Sequence, residues 1–300
     1  MDTVKLAEDL SFSRIVHGLW RLAEWNLSKE ETLKLAEQCL ELGITTFDHA
    51  DIYGNYSCER LFGEALALKP SLRDSMQLVT KCGIKLRSSK RPEHTIKHYD
   101  TGKEHIIASV HQSMENLQTD YIDVLLIHRP DPFMDPHETA EAFYQLKQQG
   151  KVRHFGVSNF TPAQFNMLSS YLDFPLVTNQ VEISAVHLDT FADGTIEHCL
   201  EHRIAPMAWS PLAGGRIFSA EDDRALRVRQ ALQEVGEELG EDSLDKLLYA
   251  WLINHPARII PLAGSGKIDR IRQAAEAVEI KLTRQQWFKI YTASLGKDVA

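Results

Sequence analysis

Short apolar runs alternate along this chain with longer segments in which apolar residues recur at helical spacing. In one longer segment, Leu33, Ala36 and Leu40 fall on one face of a helix. The run 124–127 is apolar without alternation, which is typical of a parallel strand covered on both faces. Eight runs are predicted as strands: 15–16, 45–48, 77–81, 123–127, 154–157, 176–180, 205–209 and 258–261. Strands alternating with helices in this way predict an α/β fold of the closed (β/α)8, or TIM-barrel, type.

Helix boundaries carry recognisable capping residues. Ser28 with Glu31 forms a capping box, and Gly43 follows the same helix as a stop signal. Thr161 with Gln164 repeats the box later in the chain. The helices between the predicted strands therefore have defined ends.

No linker or low-complexity tract divides the chain, so residues 1–300 are predicted to form a single barrel domain. A short hairpin over about the first ten residues is expected to close one end of the barrel, and extra helices are expected near the C-terminus. Two irregular insertions, 83–103 and 212–223, follow the third and seventh strands. Because loops after barrel strands build the active face, both insertions are expected to shape the site.

Composition narrows the choice of partner. The formal charge of −9 and pI of about 5.8 disfavour nucleic acid and anionic membranes, which leaves a small molecule as the expected partner. The cysteines form no Cys-x-x-Cys pair, so neither a zinc knuckle nor a disulfide framework is indicated. Without an apolar signal core or a membrane-length apolar run, a cytoplasmic protein is expected, as a monomer or weak homo-oligomer.

Four ionisable side chains occur at or just past the ends of three consecutive predicted strands: Asp48, Tyr53, Lys81 and His128. A phenol with its ordinary pKa of ~10 is a weak acid unless its anion is stabilised. The ammonium of Lys81, held by Asp48, would stabilise that anion, and His128 would hydrogen-bond a carbonyl oxygen. Taken singly, these residues also suit turns, solvated charges or the barrel rim. Together they favour a proton-donating site.

Five segments, in order, resemble motifs of the aldo-keto reductase superfamily. These segments stand at 48–54, Thr80-Lys81, His128-Arg129-Pro130, 156–159 and Asn179-Gln180, and the resemblance as a whole extends over nearly the entire chain. Within the superfamily, the His-Ala-Asp-Ile-Tyr-Gly and Gly-Ser-Gly-Lys-Ile segments are most similar to bacterial YdhF-type oxidoreductases.

The resemblance implies an NADPH-dependent enzyme that reduces aldehydes or ketones to alcohols, an oxidoreductase of CH–OH donors with NADP as acceptor. Tyr53 is then the general acid, with Asp48 and Lys81 tuning it and His128 orienting a small-molecule carbonyl substrate. The resemblance also assigns the nicotinamide and pyrophosphate to one group of residues: Ser158, Asn159, Gln180, Trp209, Ser210, Leu212, Gly214 and Arg216. Many relatives carry tyrosine at the position of Trp209, for which core packing is the alternative. Asn159 also suits a turn.

The segment 264–270 resembles two nucleotide-binding motifs without matching either. The spacing of its glycines excludes a P-loop and a Gly-x-Gly-x-x-Gly fingerprint. What remains is a glycine turn entering a helix, with two cations on the first turn, which favours an anion. The resemblance implies that Gly264, Ser265, Gly266, Lys267 and Arg270 hold the adenosine 2′-phosphate. Gln273 and Ala274 would then reach the adenine, or else form a solvated helix face.

The substrate pocket is expected to be walled by residues of loops above the tyrosine: Trp20, Trp25, His49, Phe133 and Met134. Core packing is the alternative for each of these side chains. His94 and His98 have the spacing of metal ligands, but a mobile loop is favoured there and no metal is predicted. Two other functions stay open: a cofactor-binding, redox-sensing regulatory subunit with little turnover, and Schiff-base aldolase chemistry at Lys81.

Overall fold

Eight parallel strands close into a barrel in the computed structural model, which describes residues 1–300. The chain contains twelve strands: β1 (Thr3–Ala7), β2 (Leu10–Ser13), β3 (Val16–Gly18), β4 (Thr46–Asp48), β5 (Gln77–Cys82), β6 (Ile84–Lys85), β7 (His98–Tyr99), β8 (Ile122–Ile127), β9 (Val152–Ser158), β10 (Leu176–Glu182), β11 (Met207–Trp209) and β12 (Ile260–Ala263). The barrel order is β3-β4-β5-β8-β9-β10-β11-β12, closing back on β3. The predicted (β/α)8 barrel and the antiparallel N-terminal hairpin, β1 with β2, are confirmed.

Eleven helices accompany the strands: α1 (Lys29–Glu41), α2 (Tyr53–Tyr56), α3 (Cys58–Leu66), α4 (Lys103–Leu117), α5 (Pro136–Gln148), α6 (Pro162–Ser169), α7 (Thr195–Glu201), α8 (Asp223–Leu239), α9 (Leu244–Ile253), α10 (Ile268–Glu276) and α11 (Arg284–Leu295). The capping boxes at the starts of α1 and α6 are both present. Gly43 adopts φ 78° after α1, the left-handed conformation that ends helices. The last helix, α11, packs on α8 outside the strand–helix alternation.

The barrel interior and its outer wall have separate apolar clusters. Val79 and Val124 belong to the interior cluster, which Phe12 of the hairpin joins, so β1 and β2 close one end of the barrel. Leu78 and Phe47 belong to the larger cluster between the strands and the helices. Because successive strand residues face opposite sides, one strand can supply both clusters, as β5 does with Leu78 and Val79.

The insertion 83–103 contains the antiparallel pair β6–β7, in which Ile84 faces Tyr99. The insertion 212–223 contains a 3-10 stretch, Ala213–Phe218. Both insertions lie after barrel strands, as expected from the sequence. None of the helices is long and apolar enough to cross a membrane.

Candidate active site

The ammonium of Lys81 joins the predicted acid to its carboxylate partner. Its Nζ lies 2.8 Å from both carboxylate oxygens of Asp48 and 3.0 Å from the Tyr53 hydroxyl. It also donates to the His49 carbonyl at 2.7 Å. Lys81 shares the inward face of β5 with Val79, and Asp48 ends the neighbouring strand β4. The alternation of the two strands thus brings the pair together inside the barrel.

Burial and charge have opposite effects on Lys81. Burial by itself lowers the pKa of its ammonium, but Asp48 and the Tyr53 oxygen raise the pKa above its ordinary value. Both members of the ion pair are almost fully buried, with side chains 0% and 1% exposed. The ammonium is therefore charged at neutral pH, held by a fully hydrogen-bonded carboxylate.

Burial raises the pKa of Tyr53 above its ordinary value of 10, although Lys81 opposes this effect. The sequence predicts the lowering effect of Lys81 but not the larger effect of burial. At neutral pH the phenol is protonated and hydrogen-bonded to a cation that would stabilise its anion. These are the properties of a proton donor.

The ring of His128 lies edge-on to the ring of Tyr53, with 5.9 Å between centroids. Burial lowers the pKa of His128 well below 6.5, and the charges of Lys81 and Arg129 act in the same direction. The imidazole is therefore neutral and carries one N–H donor. Its Nδ1 is buried without a partner. A neutral donor beside the phenol suits an uncharged carbonyl oxygen.

A series of hydrogen bonds connects the predicted nicotinamide residues to the ion pair. The Trp209 indole donates to Asn159 Oδ1 at 2.9 Å, and the Asn159 amide donates to Ser158 Oγ at 2.8 Å. Ser158 Oγ donates to the Gln180 carbonyl at 2.7 Å, and Gln180 Nε2 donates to Asp48 Oδ1 at 2.8 Å. The structure therefore brings these residues together at one side of the barrel. The bond from Gln180 to Asp48 joins residues far apart in the chain and has no local sequence signal.

For Asn159 and Trp209 the sequence leaves a structural alternative open, a turn for the first and core packing for the second. Asn159 adopts φ 61° and its backbone N–H bonds the Gln180 carbonyl, so it is a turn residue as well as part of the polar series. Trp209 is partly exposed, and the Arg129 guanidinium lies 5.7 Å from the centroid of its ring. The indole face is therefore at the barrel mouth.

The segment after β11 turns sharply. Ser210 adopts φ 50°, and Gly214 adopts φ 66° within the 3-10 stretch. A Cβ added to Gly214 would meet only the Arg21 side chain, at 4.0 Å. Leu212 is partly buried, whereas Arg216 is exposed. The turn thus leaves backbone and a cation accessible beside Trp209.

The glycine turn after β12 enters α10, whose first turn lacks a side-chain cap. Lys267 occupies the cap position, and its N–H donates to Ser265 Oγ at 3.1 Å. Arg270 is exposed, so its charge is accessible. A Cβ added to Gly266 would lie 2.7 Å from the ring of Trp25, whereas one added to Gly264 would meet only the Gly18 carbonyl oxygen, at 3.8 Å. Amide groups and two cations here suit an anion.

Two residues predicted near the cofactor or substrate, Ala274 and Trp25, pack against other parts of the chain. Ala274 is fully buried with Ile271 on the inner face of α10, so its side chain is not presented to an adenine; Gln273 is partly exposed. The ring of Trp25 packs on Gly266 of the glycine turn, and its centroid lies 5.8 Å from that of the His17 ring. Helical periodicity and the missing glycine side chain explain these positions.

The predicted substrate wall is only partly assembled. His49 is buried, with its ring 4.7 Å from Phe62, because it follows the inward Asp48 and must face outward. Trp20 is 57% exposed and Phe133 is 95% exposed, so neither lines an enclosed pocket. Met134 is partly buried and packs against the larger cluster between the strands and the helices, as does Trp25. His49, Trp25 and Met134 therefore match the core-packing alternative.

The histidines of the 83–103 insertion bond backbone carbonyls. Nδ1 of His94 lies 3.0 Å from the Leu86 carbonyl, and Nδ1 of His98 lies 2.9 Å from that of Ile96. No group of three or more His, Cys, Asp or Glu side chains is arranged to hold a metal ion.

The two buried histidines His17 and His49 lead to a prediction about how the free energy of unfolding depends on pH. Burial lowers the pKa of His49 to about 3 and that of His17 to about 4, and neither ring is fully hydrogen-bonded. Below the unfolded pKa of ~6.5 the unfolded chain binds more protons, so stability falls as pH falls from 6.5 towards these values. Replacing His49 with Phe should flatten the pH dependence of unfolding free energy by about 1.4 kcal/mol per pH unit in that window. Denaturant unfolding at several pH values measures this slope.

Replacing the exposed His137 with Phe provides the matched control and should leave the slope unchanged. Equal slopes for the wild type and His49→Phe would show that His49 is protonated in the folded protein.

Comparisons with known proteins agree with this geometry. A family model described as the aldo/keto reductase family matches residues 14–294. The chain is 54% identical to oxidoreductase YdhF of Escherichia coli, over 96% of this chain and 95% of that protein. It is 44% identical to a 6-dehydroglucose reductase of Agrobacterium fabrum, over 100% of both.

Among solved structures, an aldo/keto reductase from Klebsiella pneumoniae in complex with NADP and acetate superposes with a TM-score of 0.80 at 26% identity, covering 96% of this chain and 93% of that one. The barrel, the ordered motifs and the family match lead to one conclusion. This chain belongs to the aldo/keto reductase family and is an oxidoreductase.

Proposed function

We propose that this protein is an NADP(H)-dependent reductase of aldehydes and ketones in which Tyr53 is the general acid. The observation that carries the proposal is the position of Lys81 Nζ, which bonds both the Tyr53 hydroxyl and the Asp48 carboxylate. A phenol in that position can give up a proton to an oxygen that gains negative charge.

The residues present fit a nicotinamide dinucleotide phosphate. Ser158, Asn159 and Gln180 offer amide and hydroxyl groups of the kind that hold a carboxamide, and Trp209 offers an accessible aromatic face. The uncapped start of α10, with Lys267 and Arg270, suits a phosphate. The NADP complex of the Klebsiella relative supports the same cofactor here. When bound, NADPH supplies the hydride that reduces the carbonyl carbon.

The chain's own groups handle the proton. Tyr53 donates its proton to the carbonyl oxygen as that oxygen becomes an alkoxide, and the product is an alcohol. The resulting phenolate is stabilised by the ammonium of Lys81 at 3.0 Å, and it regains its proton from water. The neutral His128 donates a hydrogen bond that orients the carbonyl. Asp48 keeps Lys81 charged and in place.

The same geometry argues against Schiff-base chemistry at Lys81. A Schiff base needs a neutral, accessible amine, whereas this ammonium is fully buried and paired with a carboxylate that raises its pKa.

Consumption of NADPH with a panel of carbonyl compounds tests the proposal. The panel contains 4-nitrobenzaldehyde, simple ketones and 6-dehydroglucose, since a 44% identical relative is named for reducing the last of these. We expect turnover with at least one aldehyde. Tight NADPH binding without turnover of any of these compounds would instead support a redox-sensing regulatory role.

A cofactor prediction follows from α10. Replacing Arg270 with Ala should weaken NADPH binding by about 1–3 kcal/mol and hardly affect NADH, because only the former carries the 2′-phosphate. Fluorescence titration with each cofactor measures both affinities. Arg272→Ala, an exposed arginine of the same helix, is the matched control. Equal losses for NADPH and NADH in Arg270→Ala would remove the reason for preferring the phosphate.

A further inference from the structure

A polar cavity of about 240 Å³ lies between α4 and the 83–103 insertion. None of Asp48, Tyr53, Lys81 and His128 lines it, so it is separate from the proton-donating site. Its walls combine polar residues from three parts of the chain, chiefly Asp51, Tyr56, Arg91, Glu93, His105 and Gln112. Nothing in the proposed reduction uses this cavity.

Several polar groups at the cavity have incomplete hydrogen bonding. The Oδ1 atom of Asp51 is buried and has no partner. The Arg91 side chain stacks over the Tyr56 ring, 5.0 Å from its centroid, and makes a single long bond, at 3.3 Å, to the adjacent Lys90 carbonyl. The Gln112 amide has contacts only at 3.3 Å and 3.4 Å, with neighbours on its own helix. The Asp51 carboxyl oxygen is therefore a buried group that requires a partner, and the more exposed Arg91 and Gln112 side chains keep free hydrogen-bond donors at the same cavity.

The charges around the cavity restrict what that partner is. An anionic ligand would meet Asp51 and Glu93, and a cationic ligand would meet Lys85 and Arg91. A hydroxyl group donates and accepts, so it satisfies a carboxyl group in either protonation state and also a guanidinium. A volume of about 240 Å³ leaves room for a ligand of the size of a six-carbon polyol. The ring of Tyr56 adds an aromatic face to the cavity wall, against which the carbon atoms of such a ligand can lie.

We propose that this cavity is a second binding site, for a neutral polyhydroxylated molecule of about the size of a hexitol. Hydroxyl groups of the ligand bond Asp51, Arg91 and Gln112, and its carbon skeleton lies against Tyr56. The backbone N–H of Asp51 donates to the Lys81 carbonyl at 3.0 Å, so the site adjoins the strand that carries the catalytic ammonium.

Saturation-transfer NMR with D-glucitol and the full protein, without NADPH, tests the site. D-Glucitol has no carbonyl group, so the binding signal is independent of the proposed reduction. We expect millimolar binding by the wild type that inorganic phosphate does not displace. Arg91→Met should weaken binding about tenfold or more, since a hydrogen bond to a charged group is lost, and Gln112→Leu should weaken it several-fold.

Arg87→Met is the matched control, because Arg87 lies on the same insertion but does not line this cavity. Tyr53→Phe serves as the control for binding at the barrel mouth. Retained glucitol binding in both controls, with loss in Arg91→Met and Gln112→Leu, supports the site. No binding by the wild type, displacement by phosphate, or equal binding by all variants would overturn it. All three surface substitutions should leave aldehyde reduction unchanged, which also verifies that they fold.

Discussion

Replacing Tyr53 with Phe is expected to lower aldehyde reduction by about 10²- to 10⁴-fold, the range that positioned proton transfer contributes. The substitution removes the hydroxyl that Lys81 Nζ contacts at 3.0 Å and leaves the ring in place. NADPH affinity should be nearly unchanged, because the residues proposed to hold the cofactor are untouched. Steady-state rates and a fluorescence titration measure the two effects separately.

Tyr56→Phe is the matched control for this experiment. Its hydroxyl accepts from the Leu86 N–H at 2.8 Å and makes no contact with Lys81, so reduction should continue at the wild-type rate. A Tyr53→Phe protein with wild-type activity would refute the assignment of Tyr53 as the acid.

Replacing Lys81 with Met is expected to affect both activity and stability. The loss of the ammonium leaves the Asp48 carboxylate buried without its cation, which typically costs about 3–5 kcal/mol of unfolding free energy. Gln180 retains its bond to that carboxylate but cannot neutralise its charge. Reduction should fall by at least as much as in Tyr53→Phe, because the phenolate loses its stabilising charge. Denaturant unfolding and steady-state kinetics measure the two losses.

The double variant Lys81→Met with Asp48→Asn distinguishes the two causes. Removing the uncompensated charge should recover much of the stability but none of the activity. If the double variant is as unstable as Lys81→Met alone, the cost comes from packing and not from the buried charge.

The barrel and the clustering of Asp48, Tyr53, Lys81 and His128 could be predicted because they depend on local pattern. Asp48, Lys81 and His128 end consecutive apolar strands, and the ends of parallel barrel strands meet at one mouth. Side-chain direction was harder to predict. The loop position of His49 suggests the substrate wall. Strand alternation nevertheless continues past Asp48 and turns the His49 side chain towards Phe62. Extending the two-residue period by one position would have revealed this.

Other features depend on contacts between distant residues and have no local signal. The bond from Gln180 to Asp48 joins positions 132 residues apart, and the pairing of β10 with β9 shifts register between Leu176 and Asn179. The cavity beside Arg91 exists only because the 83–103 insertion folds over α4. The sequence shows a polar insertion, but not the cavity that it forms with α4.

The hydrogen bonds that connect Trp209 to Asp48 bear on attempts to re-engineer this protein. Replacing Trp209 with tyrosine would remove the indole donor that holds the Asn159 amide. The disturbance would then pass through Ser158 and Gln180 to the Asp48 carboxylate beside the Lys81 ammonium. A substitution chosen to change the aromatic surface at position 209 would therefore also change the pKa of the Tyr53 hydroxyl, which the Asp48–Lys81 pair contacts. The aromatic surface and this pKa would have to be optimised together.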